Sequence, residues 1–336
     1  MRGATETSGT AQRDRSAPAK PWLCPVLLAV RYARKPRSVG RRRAKPWLCS
    51  VLPAVSFLLT FGVTGCSMQK IAASSMVPIV EDSLIEAYAS ADIETVREAL
   101  PSQLLLLRGV CQSDLEKTEL WTPAVQLYAS YALIFVEAED PDRAARLYDE
   151  GMDLGLRFLK RRSWIRTAWD KGPDALREEI GRRQPRDLAP IMMWTAACLG
   201  KHVLNNLDRP REVADLPYVY VLSDAAIELE GDYYYGMGHV LKGIMLSLTP
   251  PMLGGDKEEA DRLFQTAFEI TQRRFLYHHV LYANYYCVPM LDEDLFQEIL
   301  REVLDAPEGL LPEARLIGLL ARERAQRLLD AREDLF

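Results

Sequence analysis

From about residue 79 to the C-terminus, apolar residues recur at three- and four-residue steps, the periodicity of amphipathic helices, and no run alternates in the manner of a strand. This pattern predicts an all-α fold. Its clearest unit is a helical hairpin turning at Asp140-Pro141, with Tyr128, Tyr131, Ala132 and Phe135 on one face before the turn and Ala144, Tyr148, Gly151 and Gly155 on another after it. The same grammar returns as Ala260, Phe264 and Ala267 on a helix opened by Asp256, with Gly243 and Leu246 on the helix before it. Asp256 and Glu259 have the spacing of a reciprocal capping box. A third pair runs from Trp194 through Ala197 and Cys198 to Leu207, turns at Asp208-Arg209-Pro210 and resumes through Leu222, Ala226 and Leu229. The last helices carry Leu295, Phe296, Ile299, Leu300 and Val303, then Leu316, Ile317, Leu320 and Leu328. About four degenerate tetratricopeptide-like hairpins follow, enough to stack into a continuous core, and their divergence from one another predicts a compact bundle over an open superhelix.

The N-terminal region follows a different rule. Arg41, Arg42, Arg43 and Lys45 precede an apolar stretch from Val51 to Val63, and Val63-Thr64-Gly65-Cys66 closes it. Basic, apolar and small segments in that order make a signal peptide, and the terminal cysteine fits a bacterial lipobox, so Cys66 is the expected lipidated first residue of the mature chain. An uncleaved anchor is the alternative, since Trp47 to Val63 is 17 residues; Pro53 and Gly62 oppose it. Before Arg41 the segment Ala19-Lys20-Pro21-Trp22-Leu23-Cys24 recurs as Ala44-Lys45-Pro46-Trp47-Leu48-Cys49, a duplicated or over-called leader. The expected organisation is a leader at 1–65, a tether at 66–78 and a helical-repeat domain at 79–336. Ser67 after the cysteine, in place of an aspartate that favours inner-membrane retention, points to the periplasmic face of the outer membrane.

Removing the leader changes the charge. Its twelve basic and two acidic residues leave 42 − 12 = 30 basic against 47 − 2 = 45 acidic, so the formal −5 becomes −15. A strongly acidic chain lacks the cationic footprint that phosphates require, which disfavours nucleic-acid binding. Cys111, Cys198 and Cys287 remain, each among apolar neighbours, and read as core residues with no disulfide framework.

Candidate chemistry is sparse. No phosphate loop, nucleophile elbow or metal-ligand spacing is found, so neither an enzyme, a cofactor nor a metal is expected. His202 and His239 are single, and adjacent His278 and His279 project to different sides of a helix. Tyr233, Tyr234 and Tyr235 run into Gly236-Met237-Gly238 at a helix start. These amphipathic rings, with Trp194, Asn205, Asn206 and His239 as neighbours, are candidates to line a pocket for an apolar or carboxylated ligand. Packing between hairpins is the alternative. One basic island stands in the acidic chain: Arg157, Lys160, Arg161, Arg162, Arg166, Lys171, Arg177, Arg182, Arg183 and Arg186 face only Asp170, Asp174, Glu178 and Glu179. Arg157, Lys160, Arg161, Arg162 and Arg166 form a candidate partner-docking face, against the alternative of a solvated helix surface.

The lipobox running into Cys66-Ser67-Met68, the degenerate hairpins, the Trp194 helix, and the loop Thr249-Pro250-Pro251-Met252-Leu253-Gly254-Gly255-Asp256 before Glu259, Ala260 and Phe264 together resemble the T component (TatT) family of TRAP transporters. The resemblance implies a periplasmic lipoprotein that docks the solute-binding P component of a tripartite ATP-independent transport system. It also implies homo-oligomers, trimers with a tunnel through each protomer, suited to a small apolar or carboxylated ligand. A general tetratricopeptide-like envelope scaffold is the alternative that the fold alone supports equally. An envelope hydrolase is a third reading, resting only on the pool of surface carboxylates of an acidic protein.

Overall fold

The computed structural model describes residues 77–80, 82–113 and 118–336; the leader, Cys66 and most of the tether lie outside the described residues. A helical stretch at 82–89 precedes twelve principal helices: α1 (Ile93–Ser113), α2 (Thr118–Tyr131), α3 (Pro141–Arg161), α4 (Ser163–Lys171), α5 (Pro173–Arg183), α6 (Ala189–Leu204), α7 (Leu216–Glu230), α8 (Tyr233–Leu248), α9 (Lys257–Thr271), α10 (Tyr277–Tyr282), α11 (Glu293–Asp305) and α12 (Arg315–Asp330). No strand occurs among the described residues, and the fold is all-α.

Local chemistry sets the helix ends. Asp140 accepts from Arg143 N at 2.9 Å with Pro141 behind it, Asp256 accepts from Glu259 N at 2.9 Å, and Asp292 accepts from Leu295 N at 3.0 Å. The Asp256 cap is one-sided, unlike the expected box: Glu259 turns to Arg262 at 2.7 Å, and Asp256 N instead donates to Leu246 O at 3.2 Å. The α6 helix stops at Leu204, short of the expected Leu207, because Asn205 and the Asp208-Arg209-Pro210 turn divert the chain and leave Leu207 in solvent.

The predicted seams are buried. Tyr128, Tyr131, Ala132 and Phe135 meet Ala144 and Tyr148, and small residues let the axes approach. A Cβ on Gly155 would lie 2.1 Å from Thr195 Oγ1 across the α3–α6 crossing, and one on Gly243 would lie 3.0 Å from the Phe264 ring across α8–α9. The pairs α2–α3, α6–α7, α8–α9 and α11–α12 are the hairpins, joined by the α3–α6 contact. Arg97 reaches Glu139 and Arg108 reaches Glu150, so α1 and α3 run in the same direction.

The hairpins also meet end to end, because α12 packs on α10 and on α1. Arg327 lies 3.8 Å and Arg97 3.2 Å from the same carboxylate oxygen of Glu139. Beneath that junction a void of about 30 Å³, the size of one or two waters, is lined by Tyr88, Leu100, Leu127, Leu316 and Leu320.

Candidate functional site

The tyrosine run adopts a backbone that its place at a helix start does not predict. Tyr234, Tyr235 and Gly236 all have positive φ, at 47°, 62° and 75°, so three consecutive residues take the left-handed conformation before the helix resumes. Each non-glycine residue there costs roughly 1–2 kcal/mol, so the surrounding packing must hold this turn in place. The turn directs successive rings to different places. Tyr234 points inward, with its ring 5.3 Å from Trp194 and its hydroxyl 2.8 Å from that of Tyr88. Tyr235 stacks on Phe275 at 4.5 Å. Tyr233 is half-buried beside Tyr234.

Phe275 connects this aromatic layer to a cavity of about 430 Å³, within the range of small-molecule sites. The cavity lies between the start of α10 and the 307–312 loop leading to α12. Its apolar wall includes Phe275, Leu276, Leu310, Leu311, Ile317 and Leu319, and its charged groups are Arg274, Arg315, Arg322 and Glu308. Trp194 and the tyrosines stand behind Phe275 and do not line the cavity.

Behind the same ring lie unpartnered polar atoms. His278 is fully buried 4.6 Å from Phe275, and neither of its ring nitrogens has a partner among the described residues; the same holds for Trp194 Nε1 and His239 Nδ1. Burial, with His279 and His239 nearby, lowers the His278 pKa to about 3, and burial with the Arg273 charge lowers His279 to about 4. Burial and Lys242 likewise lower His239. These imidazoles are neutral at physiological pH.

Asn205 and Asn206 are elsewhere. They lie past the far end of α6, eleven residues from Trp194, or about 16 Å along a helix. There Asn206 donates to the His202 carbonyl, and His202 sits between Asp149 at 2.6 Å and Glu212 at 3.1 Å. Burial opposes the His202 charge, but the two carboxylates outweigh it and the pKa is raised.

The basic island forms one end of the bundle, where α3 turns into α4. Its cations lie over rings: Lys160 at 4.2 Å from Trp169, Arg161 at 4.8 Å from Trp121, and Arg162 at 4.6 Å from Phe158. Burial lowers the Lys160 pKa against the pull of Asp215 and Asp170. Arg157 and Arg166 are exposed and have no ion-pair partner among the described residues.

A further polar centre was not anticipated. Helix α2 ends in a π-turn at Ala132–Val136 and α10 continues into another at Ala283–Cys287, and the two converge on Glu137. Its carboxylate accepts from Tyr148 at 2.6 Å and Tyr285 at 2.8 Å and pairs with Lys201, whose ammonium also lies over both rings. Inserted residues of this kind break helical register without altering composition, so periodicity hides them. The 307–312 loop is marked in the sequence only by Pro307, Gly309 and Pro312 between apolar helices flanked by Arg274 and Arg315.

Among the described residues no group of histidine, cysteine or carboxylate side chains is placed to hold a metal ion, and no helix is long and apolar enough to cross a membrane. Cys111, Cys198 and Cys287, the cysteines among the described residues, are buried thiols.

Comparison with known proteins adds two findings. The sequence model of the TRAP transporter T-component family matches residues 89–336. An uncharacterised protein of Treponema pallidum (strain Nichols) is 22% identical over 303 residues, spanning 81% of this chain and 93% of the relative.

Proposed function

Since the chain belongs to the TRAP transporter T-component family, a family of transporter accessory subunits and not of enzymes, we propose that it is a lipid-anchored periplasmic subunit that docks the solute-binding component of such a system. The family match over 89–336 carries this reading. Anchoring through Cys66 at the outer membrane's periplasmic face, assembly as a trimer and carriage of an apolar or carboxylated ligand are parts of the same proposal.

The basic end supports the docking role. Residues 157–186 carry ten basic and four acidic side chains in a mature chain of net −15, so an acidic partner is attracted to this end and repelled elsewhere. Arg157 and Arg166 project freely, while Arg161 and Arg162 are partly committed to rings.

The test is capture of a solute-binding protein of a TRAP system by the full chain. Replacing Arg157 and Arg166 by Glu should weaken capture at least tenfold at low salt, and the difference should shrink above roughly 0.3 M as screening shortens the Debye length. Absence of any solute-binding protein in the wild-type capture rejects the docking role. Unchanged affinity of the variant at low salt rejects the basic end as its surface.

A further inference from the structure

The cavity between α10 and α12 has a composition that selects its occupant. It holds three guanidinium groups and one carboxylate in a chain where acids otherwise dominate. Two of the arginines are braced by backbone: Arg322 donates to the carbonyls of Leu304 and Ala306, and Arg274 donates to Leu310 O at 2.6 Å. These bonds shape the 304–310 corner and fix the two cations beside the cavity. Arg315 is exposed at the first turn of α12 with no ion-pair partner among the described residues. A cation there opposes the positive end of the helix dipole, a placement that an arriving anion relieves. Glu308 on the facing loop is exposed and equally unpaired among the described residues, leaving the rim at net +2.

The remainder of the cavity is apolar and closed by a firm floor. Phe275 is held from behind by stacked Tyr235, which the left-handed turn fixes in place. Neutral His278 lies beyond Phe275, so no charge faces the inner end. We propose that this cavity binds an amphipathic organic carboxylate, its head on the Arg315 fork beside Arg274 and its chain against Leu311, Ile317 and Phe275. Arginine suits the head because its planar donors match both carboxylate oxygens. A cavity of 430 Å³ has room for a ligand with a chain of about ten carbons. The site deepens the ligand-carrying part of the proposed function and is independent of partner docking.

Gly318 supplies a variant with open space for a side chain. It lies on α12 at the cavity wall, and a Cβ there meets nothing within 4 Å. The experiment titrates decanoate, decanol and acetate calorimetrically into the full chain in lipid nanodiscs, with empty discs subtracted. Saturable decanoate binding is expected, with acetate at least tenfold weaker. Arg315→Gln should weaken decanoate at least tenfold and leave decanol unchanged. Gly318→Leu should abolish binding of both while the thermal midpoint holds or rises. The proposal is overturned by no saturable decanoate binding, by an Arg315→Gln variant that binds decanoate like wild type, or by binding that survives Gly318→Leu. Capture of the solute-binding protein, measured on the same preparations, separates the two ideas: its failure with decanoate binding intact removes the docking role and leaves the site standing.

Discussion

A Cβ on Gly255 would sit 1.8 Å from the Thr249 carbonyl oxygen and 2.7 Å from its carbon, so the loop before α9 closes only with glycine there. Backbone cannot yield as a flexible side chain can, and Gly255→Ala should destabilise by more than about 2 kcal/mol in denaturant melts. Gly181 is the contrasting case, an exposed α5 residue whose Cβ would meet nothing within 4 Å; Gly181→Ala should stabilise by about 0.5–1 kcal/mol. Equal effects at both positions would show that the loop is looser than its geometry implies. The buried histidines give a prediction of definite sign. Their folded pKa values, about 3 for His278 and about 4 for His279, lie below the unfolded value of 6.5. The stability they contribute is therefore present above pH 6.5 and lost as pH falls, because the unfolded chain binds two more protons. The loss is steepest near pH 5, where these two approach a ceiling of roughly 2.7 kcal/mol per pH unit. His202, whose folded pKa is raised, has the opposite window: its contribution is full below 6.5 and disappears as pH rises through the folded value. Removing one titrating group with His278→Leu should reduce the acid slope by about 1.4 kcal/mol per unit, and an unchanged slope would show that His278 is hydrated.

The hairpins were legible because burial of one face imposes a period, and that period is written in single residues. Ala260, Phe264 and Ala267 are all fully buried, as their spacing required, and the α11 and α12 stripes are buried except at partly covered Leu295. What escaped depended on backbone geometry or on contacts distant in sequence. The tyrosine run looked like the start of a helix because nothing in its composition announces two tyrosines at positive φ. Proximity in sequence to a motif did not place Asn205 and Asn206 near Trp194, because the rise of α6 separates them. The Glu137 centre joins residues up to 148 positions apart. Pairing Lys201 with Glu137 inside this centre makes it a support for both π-turns, and Glu137→Gln should leave the ammonium with too few acceptors. The side chains are 15% and 22% exposed, so the expected cost is roughly 2–3 kcal/mol, below the 3–5 of a fully enclosed pair. Combined with Tyr285→Phe the losses should fall short of additivity, since both variants remove one shared bond. Strict additivity in a double-mutant cycle would mean that the tyrosine hydroxyl and the carboxylate act independently.

At the level of the helical unit, closure distinguishes this chain from an open array of repeats. In an open array each hairpin contacts only its neighbours, stability is nearly a sum of local terms, and a defect in the last repeat stays local. Here α12 packs against α1, Arg327 and Arg97 share the Glu139 carboxylate, and Tyr285 reaches Glu137 from the opposite half. The last hairpin cannot open without uncovering Tyr88, Leu100 and Leu127, which belong to the first segments of the chain. Unfolding should then be a single cooperative event. Leu320, buried at this seam, provides the test. Leu320→Ala should cost about 2–5 kcal/mol. In native-state hydrogen exchange that loss should appear equally at the slowest amides of α2, α6 and α12, because all of them exchange through the same global opening. Protection lost in α11 and α12 alone, with α2 and α6 unchanged, would show instead that the seam opens separately and that the hairpins behave as a linear stack.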